Sequence, residues 1–354
     1  MDKSILLSPK MLALVTTNKC TAACKNCCFR CSPLNKDKIS FEEAQSIIDE
    51  CVNSFPQLGL LVLSGGECFT LGKELDEIVS YASKKGLNVR TVSNGYWATS
   101  FKRAYLRLKH LKEIGLTEMN VSCGDEHQEF VDFANVINVI VACILLKITL
   151  AINLETSSLK HITINTICND IRLVKYGNLK EKGVLVSNGK WMYFRKQEKK
   201  ILEQLASENV RTAEDLRCTS VLTDINIFYN RDMYACCGLT NTYNEILRIG
   251  KGSEGNIKST YESQFNDFYK IWLFTEGPGS IYNFIMKKRN LPQINAAQWH
   301  TCQICQEIIM DEDNIKTLKK YYHEKFSSVI IKFKMLREKH LGFPKDGSNY
   351  INKS

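Results

Sequence analysis

At 354 residues and 44% hydrophobic content the chain can bury a large core, and no repeat or low-complexity stretch marks it as fibrous or disordered. Fifteen cysteines with no readable export signal ahead of Pro9-Lys10 argue against a disulfide frame and for metal work in a reducing compartment, so the cytoplasm is the expected location. The formal charge of +9 is scattered lysine, its runs at Lys196 to Lys200 and Lys332 to Lys339 come with no nucleic-acid-binding motif, and the longest apolar stretch, Val136 to Leu146, is too short to span a bilayer.

In chain order, Met11 to Thr16 reads as a first strand and runs into Cys20-Thr-Ala-Ala-Cys24-Lys-Asn-Cys27-Cys28-Phe-Arg-Cys31. Ser40 and Glu43 form a capping box ahead of Ala44, Ile47, Ile48 and Cys51, the apolar face of a helix. Leu58 to Leu63 is a second strand ending in Ser64-Gly65-Gly66-Glu67, and a helix lined by Leu75, Ile78, Val79 and Ala82 stops at Gly86. Leu87 to Val92 makes the third strand, followed by Ser93-Asn94-Gly95-Tyr96-Trp97 and a helix from Phe101 to Ile114. Met119 to Ser122 is the fourth, running into Cys123-Gly124-Asp125-Glu126-His127 and a helix through Leu146. Ile148 to Leu154 is the fifth and Gly183 to Val186 the sixth.

Strands alternating with helices predict an α/β fold with parallel pairing, in which functional loops gather at the carboxyl ends of the strands. Beyond residue 190 the pattern changes. Cys218 precedes a hairpin, Asp224 to Tyr229 and Met233 to Cys237, turning at Asn230 to Asp232. Cys302-Gln-Ile-Cys305 reads as a loop, and helices follow from Asp311 to His340.

The thiol counts carry the chemistry. Tetrahedral zinc needs four ligands, and so does a cubane held by protein alone; the C-x3-C-x2-C spacing of Cys20, Cys24 and Cys27 supplies three and leaves one iron open. Cys218, one of the pair Cys236-Cys237, Cys302 and Cys305 make four, which suits zinc and a closed cluster equally.

With Gly65-Gly66-Glu67 downstream, the first motif resembles that of radical S-adenosylmethionine enzymes. The resemblance implies a partial (β/α)6 barrel over 1–190, an auxiliary iron–sulfur domain over 191–310 and a helical segment over 311–354. It implies that Cys20, Cys24 and Cys27 hold a 4Fe–4S cluster. S-adenosyl-L-methionine would be bound by Gly65, Gly66 and Glu67, with Glu67 opposite its ammonium, and by Ser93, Asn94, Ser122, Asn153 and Gly189. Asp125 stands as a substitute for an acid expected three residues before His127.

The motifs Cys24-Lys-Asn-Cys27-Cys28-Phe, Ser93-Asn-Gly-Tyr-Trp97, His127 with Phe130-Val131, Asp224 twelve residues before Cys236, and Cys302-x2-Cys305 resemble peptide epimerases of the epipeptide class. In that likeness a second 4Fe–4S cluster sits on Cys218, Cys236, Cys302 and Cys305. Cys237 returns hydrogen to a substrate radical and Asp224 positions the peptide. The implied partners are a ribosomally made precursor peptide and an external electron donor of flavodoxin or ferredoxin type. No leader-binding segment is expected ahead of the first strand, so the peptide is gripped by the barrel mouth, the cluster domain or the C-terminal helices, with Tyr282, Phe284 and Trp299 as apolar candidates. A cross-linking enzyme and a non-catalytic zinc module are the competing readings. Cys51, Cys143 and Cys168 are expected in the core, Cys68 and Cys123 beside the cavity, and Cys31 has no assigned role.

Overall fold

The computed structural model describes residues 7–156, 161–190, 192, 217–294 and 300–341. Six strands, β1 (Met11–Val15), β2 (Leu60–Ser64), β3 (Asn88–Ser93), β4 (Leu116–Gly124), β5 (Thr149–Thr156) and β6 (Val184–Lys190), pair in parallel in that order. Between them run α1 (Phe41–Ser54), α2 (Lys73–Lys84), α3 (Phe101–Glu113), the single turn α4 (Asp125–Gln128), α5 (Phe133–Leu146), and the short α6 (Ile164–Cys168) and α7 (Ile171–Val174). The expected capping box opens α1, where Ser40 Oγ accepts from Glu43 N.

Strand alternation divides the sheet into unlike faces. Leu12, Leu14, Leu61, Leu63, Val89, Met119, Val121, Leu150 and Ile152 face the helices and are wholly buried. On the other face Asn120, Ser122, Ala151, Asn153 and Glu155 are only half-buried, and Arg90 Nε donates to Glu118 Oε2 at 2.6 Å. The sheet thus has one dry face against the helices and one polar, half-open face, the lumen side.

The sheet does not end at β1. β7 (Asp224–Phe228) lies parallel to it, Met11 beside Asp224 and Val15 beside Phe228, and β8 (Asp232–Tyr234) and β9 (Arg248–Lys251) extend the edge antiparallel. The hairpin expected in a separate domain thus continues the same nine-stranded sheet, and β9 has no counterpart in the sequence reading. The remaining helices are α8 (Ile257–Ser263), α9 (Phe268–Lys288, broken at Gly277), α10 (Thr301–Met310), α11 (Glu312–Tyr321) and α12 (His323–Leu341). The Cys302 to Cys305 segment, expected as a loop, is the first turn of α10, capped by His300, whose Nδ1 accepts from Cys302 N at 3.1 Å.

Other expectations are corrected. Cys51 and Cys143 are in the core, but Cys168 is exposed because α6 buries only Ile167. Cys68 and Cys123 are wholly buried on the helix side rather than lining the lumen. Gly189 lies within a longer β6, opposite Glu155, rather than in a loop. Among the described residues no helix is long and apolar enough to cross a membrane. Lys196 to Lys200 and Trp299 lie outside the described residues.

Candidate active site

The protein carries two groups of thiols. The first rides on the loop leaving β1. Thr16 N donates to Ser64 O at 2.8 Å, Ile39 N to Thr16 O at 2.8 Å and Cys20 N to Ser32 O at 3.1 Å, so the loop is tied to β2 and to its own return arm. Gly65 and Gly66 make that tie possible: a Cβ on Gly66 would come 2.2 Å from Lys19 O, and one on Gly65 2.8 Å from Thr17 O. Gly66 N donates to Thr17 O at 2.7 Å and Glu67 N to Lys19 O at 2.8 Å. The glycine pair therefore admits the cysteine loop as its close neighbour.

Glu67 is engaged within the protein. It is wholly buried, its Oε1 accepting from Phe69 N at 3.0 Å and its Oε2 from Asn94 N at 2.7 Å and Ser93 Oγ at 3.1 Å. Burial lifts its carboxyl to about 7 against these bonds. Ser93 is likewise engaged, accepting from Gly95 N and Trp97 Nε1, each at 3.0 Å. Both residues brace the turn after β3, and Asn94 is what reaches the thiols, with Nδ2 at 3.0 Å from Thr21 Oγ1 and 3.8 Å from Cys20 Sγ.

Burial pushes the Cys20 thiol up to about 11 and Cys24 further, the latter also under charge at Cys27 and Cys20. A hydrogen bond with Cys31 draws Cys27 down to about 6 against its burial, and Cys31 N lies 3.4 Å from the Cys27 sulfur. Cys31 thereby gains the place the sequence left open, packed behind Cys27. Charge at Cys27 raises both Cys20 and Cys24, so these thiols lie near one another, an arrangement a positively charged metal centre would relieve.

The acid beside this group is not Asp125, whose Oδ1 accepts from Ile162 N at 3.0 Å. Glu126 takes that place, accepting from Asn26 N at 3.1 Å and Asn26 Nδ2 at 2.7 Å, and Glu155 Oε2 lies 3.2 Å from His127 Nδ1. Burial disfavours the charged imidazole, but Glu155 prevails and the His127 pKa is raised. Glu155 was legible as the residue two beyond Asn153 on the same strand face. Ser122 and Asn153 are direct neighbours on that face.

The second group gathers Cys218, Cys236, Cys302 and Cys305. Burial raises all four; Cys236 also feels charge at Cys218, Cys302 and Cys305, and Cys302 reaches about 12. Cys302 and Cys305, three apart on the first turn of α10, share one helix face. A Cβ on Gly238 would meet the Cys236 sulfur at 3.1 Å and the Cys302 sulfur at 3.4 Å, so a residue with no side chain keeps the space between them clear. Among the described residues no three His, Cys, Asp or Glu side chains close on a single ion. Tetrahedral zinc, with Zn–S bonds of about 2.3 Å, draws its sulfurs closer than a cluster does.

Cys237 stands apart from these four, exposed where Cys236 is buried. Its Sγ is 3.0 Å from Ser220 Oγ and 3.9 Å from Asp224 Oδ2, its N donates to Ser220 Oγ at 3.2 Å, and Ser220 Oγ donates to Asp224 Oδ2 at 2.5 Å. The residue opens to solvent while protein crowds its sulfur; this desolvation and the Asp224 carboxylate push the thiol up to about 12. Burial also lifts Asp224, to about 6. Ser220 carried no sequence signal, since a serine four residues before a strand entry is ordinary turn chemistry. Asp224 opens β7 beside Met11, so it lies a strand length, about 13 Å at ~3.3 Å per residue, from where the first cysteine loop departs.

No family model matches the chain. Over 131 residues, 37% of this chain and 41% of the relative, it is 22% identical to YydG, a Bacillus subtilis protein named for peptide biosynthesis. Over 107 residues, 30% of this chain and 25% of the relative, it is 33% identical to the Fe-coproporphyrin III synthase of Methanosarcina barkeri. The matches thus span less than half the length of either curated relative. Among solved structures, anSMEcpe with bound AdoMet aligns over 94% of this chain and 99% of its own, with a TM-score of 0.51 and 14% identity. That likeness establishes the fold: this chain has the α/β architecture, with its parallel sheet, of a protein solved with S-adenosylmethionine bound.

Proposed function

We propose that the chain is a radical S-adenosylmethionine enzyme that converts L- to D-residues in a ribosomally made peptide. Cys20, Cys24 and Cys27 would hold a three-thiolate 4Fe–4S cluster and Cys218, Cys236, Cys302 and Cys305 a second; the relieved mutual burial of each set supports that fit. When bound, the cluster and S-adenosylmethionine would supply a 5′-deoxyadenosyl radical able to take hydrogen from a peptide Cα. Asn94, Ser122, Asn153 and the strand backbone at Gly189 line the lumen side where the cofactor would lie. Peptide biosynthesis in the name of YydG supports a peptide as substrate.

The observation that carries the reading is Cys237: an exposed residue beside the four grouped cysteines, its sulfur held by Ser220 and Asp224. A planar Cα radical has no memory of its hand. Breaking the Cys237 S–H bond and forming a new Cα–H bond on the opposite face yields the D-residue and leaves a thiyl. That thiyl regains an electron, ultimately from the flavodoxin- or ferredoxin-type donor, and a proton along the Ser220–Asp224 hydrogen bond. Donation requires the neutral thiol, which the raised Cys237 pKa preserves.

Incubation of anaerobically reconstituted enzyme with its genomically neighbouring short peptide in D2O tests the reading. Inversion places one deuterium at each D-centre. A product lighter by two hydrogens and free of D-residues would establish cross-linking instead, and colourless zinc-loaded protein would establish the binding module.

A further inference from the structure

One short segment touches both thiol groups. It begins at Gly238, whose backbone lies against the sulfurs of Cys236 and Cys302. Asn241, 1% exposed, donates its N–H to Gly238 O at 3.4 Å and its Nδ2 to Cys236 O at 3.1 Å. The next two residues cross to the first group. Thr242 Oγ1 donates to Cys28 O at 2.6 Å, and the Tyr243 hydroxyl donates to Cys27 O at 3.1 Å. Arg30 holds the tyrosine from the other side, its guanidinium 4.0 Å from the ring centroid, while its own N–H fills the second acceptor site of Cys27 O at 3.2 Å.

The cysteine turn already closes locally, Arg30 N donating to Cys27 O at 3.2 Å and Cys31 N lying 3.4 Å from the Cys27 sulfur, so the added donors serve something beyond closing it. They come from a segment whose own place is set by Cys236, more than 200 positions further along the chain. Hydrogen bonds from side chains to the carbonyls of two consecutive thiol-bearing residues fix where those residues sit.

We propose that Asn241–Tyr243 is a strut through which the loading of the second thiol group sets the placement of Cys27 and Cys28, with Thr242 and Tyr243 as positioning residues for the first. It rests on reading both groups as cluster ligands. A metal centre held by the second group would fix Cys236 and Cys302 about Gly238, and with them Asn241, which is bonded to Cys236 O and Gly238 O. Asn241 in turn presents Thr242 and Tyr243 to the first loop.

The test uses the reconstituted full chain and follows the part of the dithionite-reduced EPR spectrum that moves when S-adenosylmethionine is added, together with the affinity for S-adenosylmethionine. The double substitution Cys302→Ser and Cys305→Ser should alter that component and weaken binding about three- to tenfold, the size expected for one or two hydrogen bonds. Thr242→Val with Tyr243→Phe, in a chain that keeps every thiol and its full iron, should produce the same change. Combining all four substitutions should add nothing further, and Thr242→Ser should behave as wild type. An unaltered spectrum in the Thr242/Tyr243 variant, even with a lowered melting temperature, or fully additive effects, would overturn the coupling. Peptide inversion enters none of these readouts, so failure of the epimerase reading leaves them intact, whereas wild-type protein that takes up no iron overturns both.

Discussion

The two thiol groups are built in opposite ways. Cys20, Cys24 and Cys27 come from eight consecutive residues on one loop, and their supports, Gly65 to Glu67 and Ser93 to Gly95, follow the next two strands in order. Cys218, Cys236, Cys302 and Cys305 come from three segments, brought together by the pairing of β7 with β1 and by a helix start far along the chain. A contiguous loop holds its shape with local turns; a dispersed site exists only once the long-range contacts form, and its closure cost falls on tertiary packing. The first group should therefore survive damage to the second more readily as a fold than as a working site.

Cys24→Ala should separate the groups most sharply. The variant should keep the circular dichroism of wild type and its second cluster while losing all 5′-deoxyadenosine formation; residual cleavage of S-adenosylmethionine would remove Cys24 from the ligand set. Cys237→Ala is the reciprocal cut. It should still release 5′-deoxyadenosine with peptide present, while D-residues fall to background by chiral amino-acid analysis, and normal inversion would hand the donor role to another residue.

Smaller effects bear on how the first loop is held. Gly66→Ala forces a methyl to within 2.2 Å of Lys19 O, so it should cost about 2 kcal/mol by chemical denaturation and lower iron uptake at the first group. Gly59→Ala, with nothing within 4 Å, is the control and should shift stability by less than about 0.5 kcal/mol. Equal losses for the two would show that the glycine pair does not seat the loop.

A further effect, spread over several pH units, lies in pH dependence. Burial raises the Glu67 carboxyl to about 7, so the folded chain holds that proton more tightly than the unfolded chain. Its contribution to stability is complete below the unfolded carboxylate pKa and is lost as pH rises through about 7. Metal-free protein should lose about 3 kcal/mol from this group between roughly pH 4 and pH 8. Glu67→Gln should flatten that slope, and parallel curves would show that Glu67 does not carry it.

The barrel half was legible because its periodicities are local. Alternation and capping located β1 to β5 and α1 to α3 to within a few residues, and the Ser40–Glu43 box is present as read. Errors arose where a residue's partner lies elsewhere in the chain. Nothing near Glu67 in sequence shows that Ser93 and Asn94 occupy its carboxylate. Asp125 and Glu126 are adjacent, and only the packing of Ile162 against one and Asn26 against the other tells them apart. Cys302-x2-Cys305 reads as a metal loop by spacing, yet His300 caps it into a helix.

By itself the sequence determined the alternating strands and helices, the three-thiol motif at the end of the first strand and the inventory of four further thiols, because each is written in spacing along the chain. Only the tertiary structure decided that β7 joins β1, that residue Cys237 is exposed beside Ser220 while Cys236 is buried, and that Thr242 and Tyr243 bond to the carbonyls of Cys28 and Cys27. Those outcomes depend on which of many equally polar or apolar neighbours meet across long chain separations. Burial and hydrogen-bond satisfaction settle that choice together over the whole fold, and no local pattern records it.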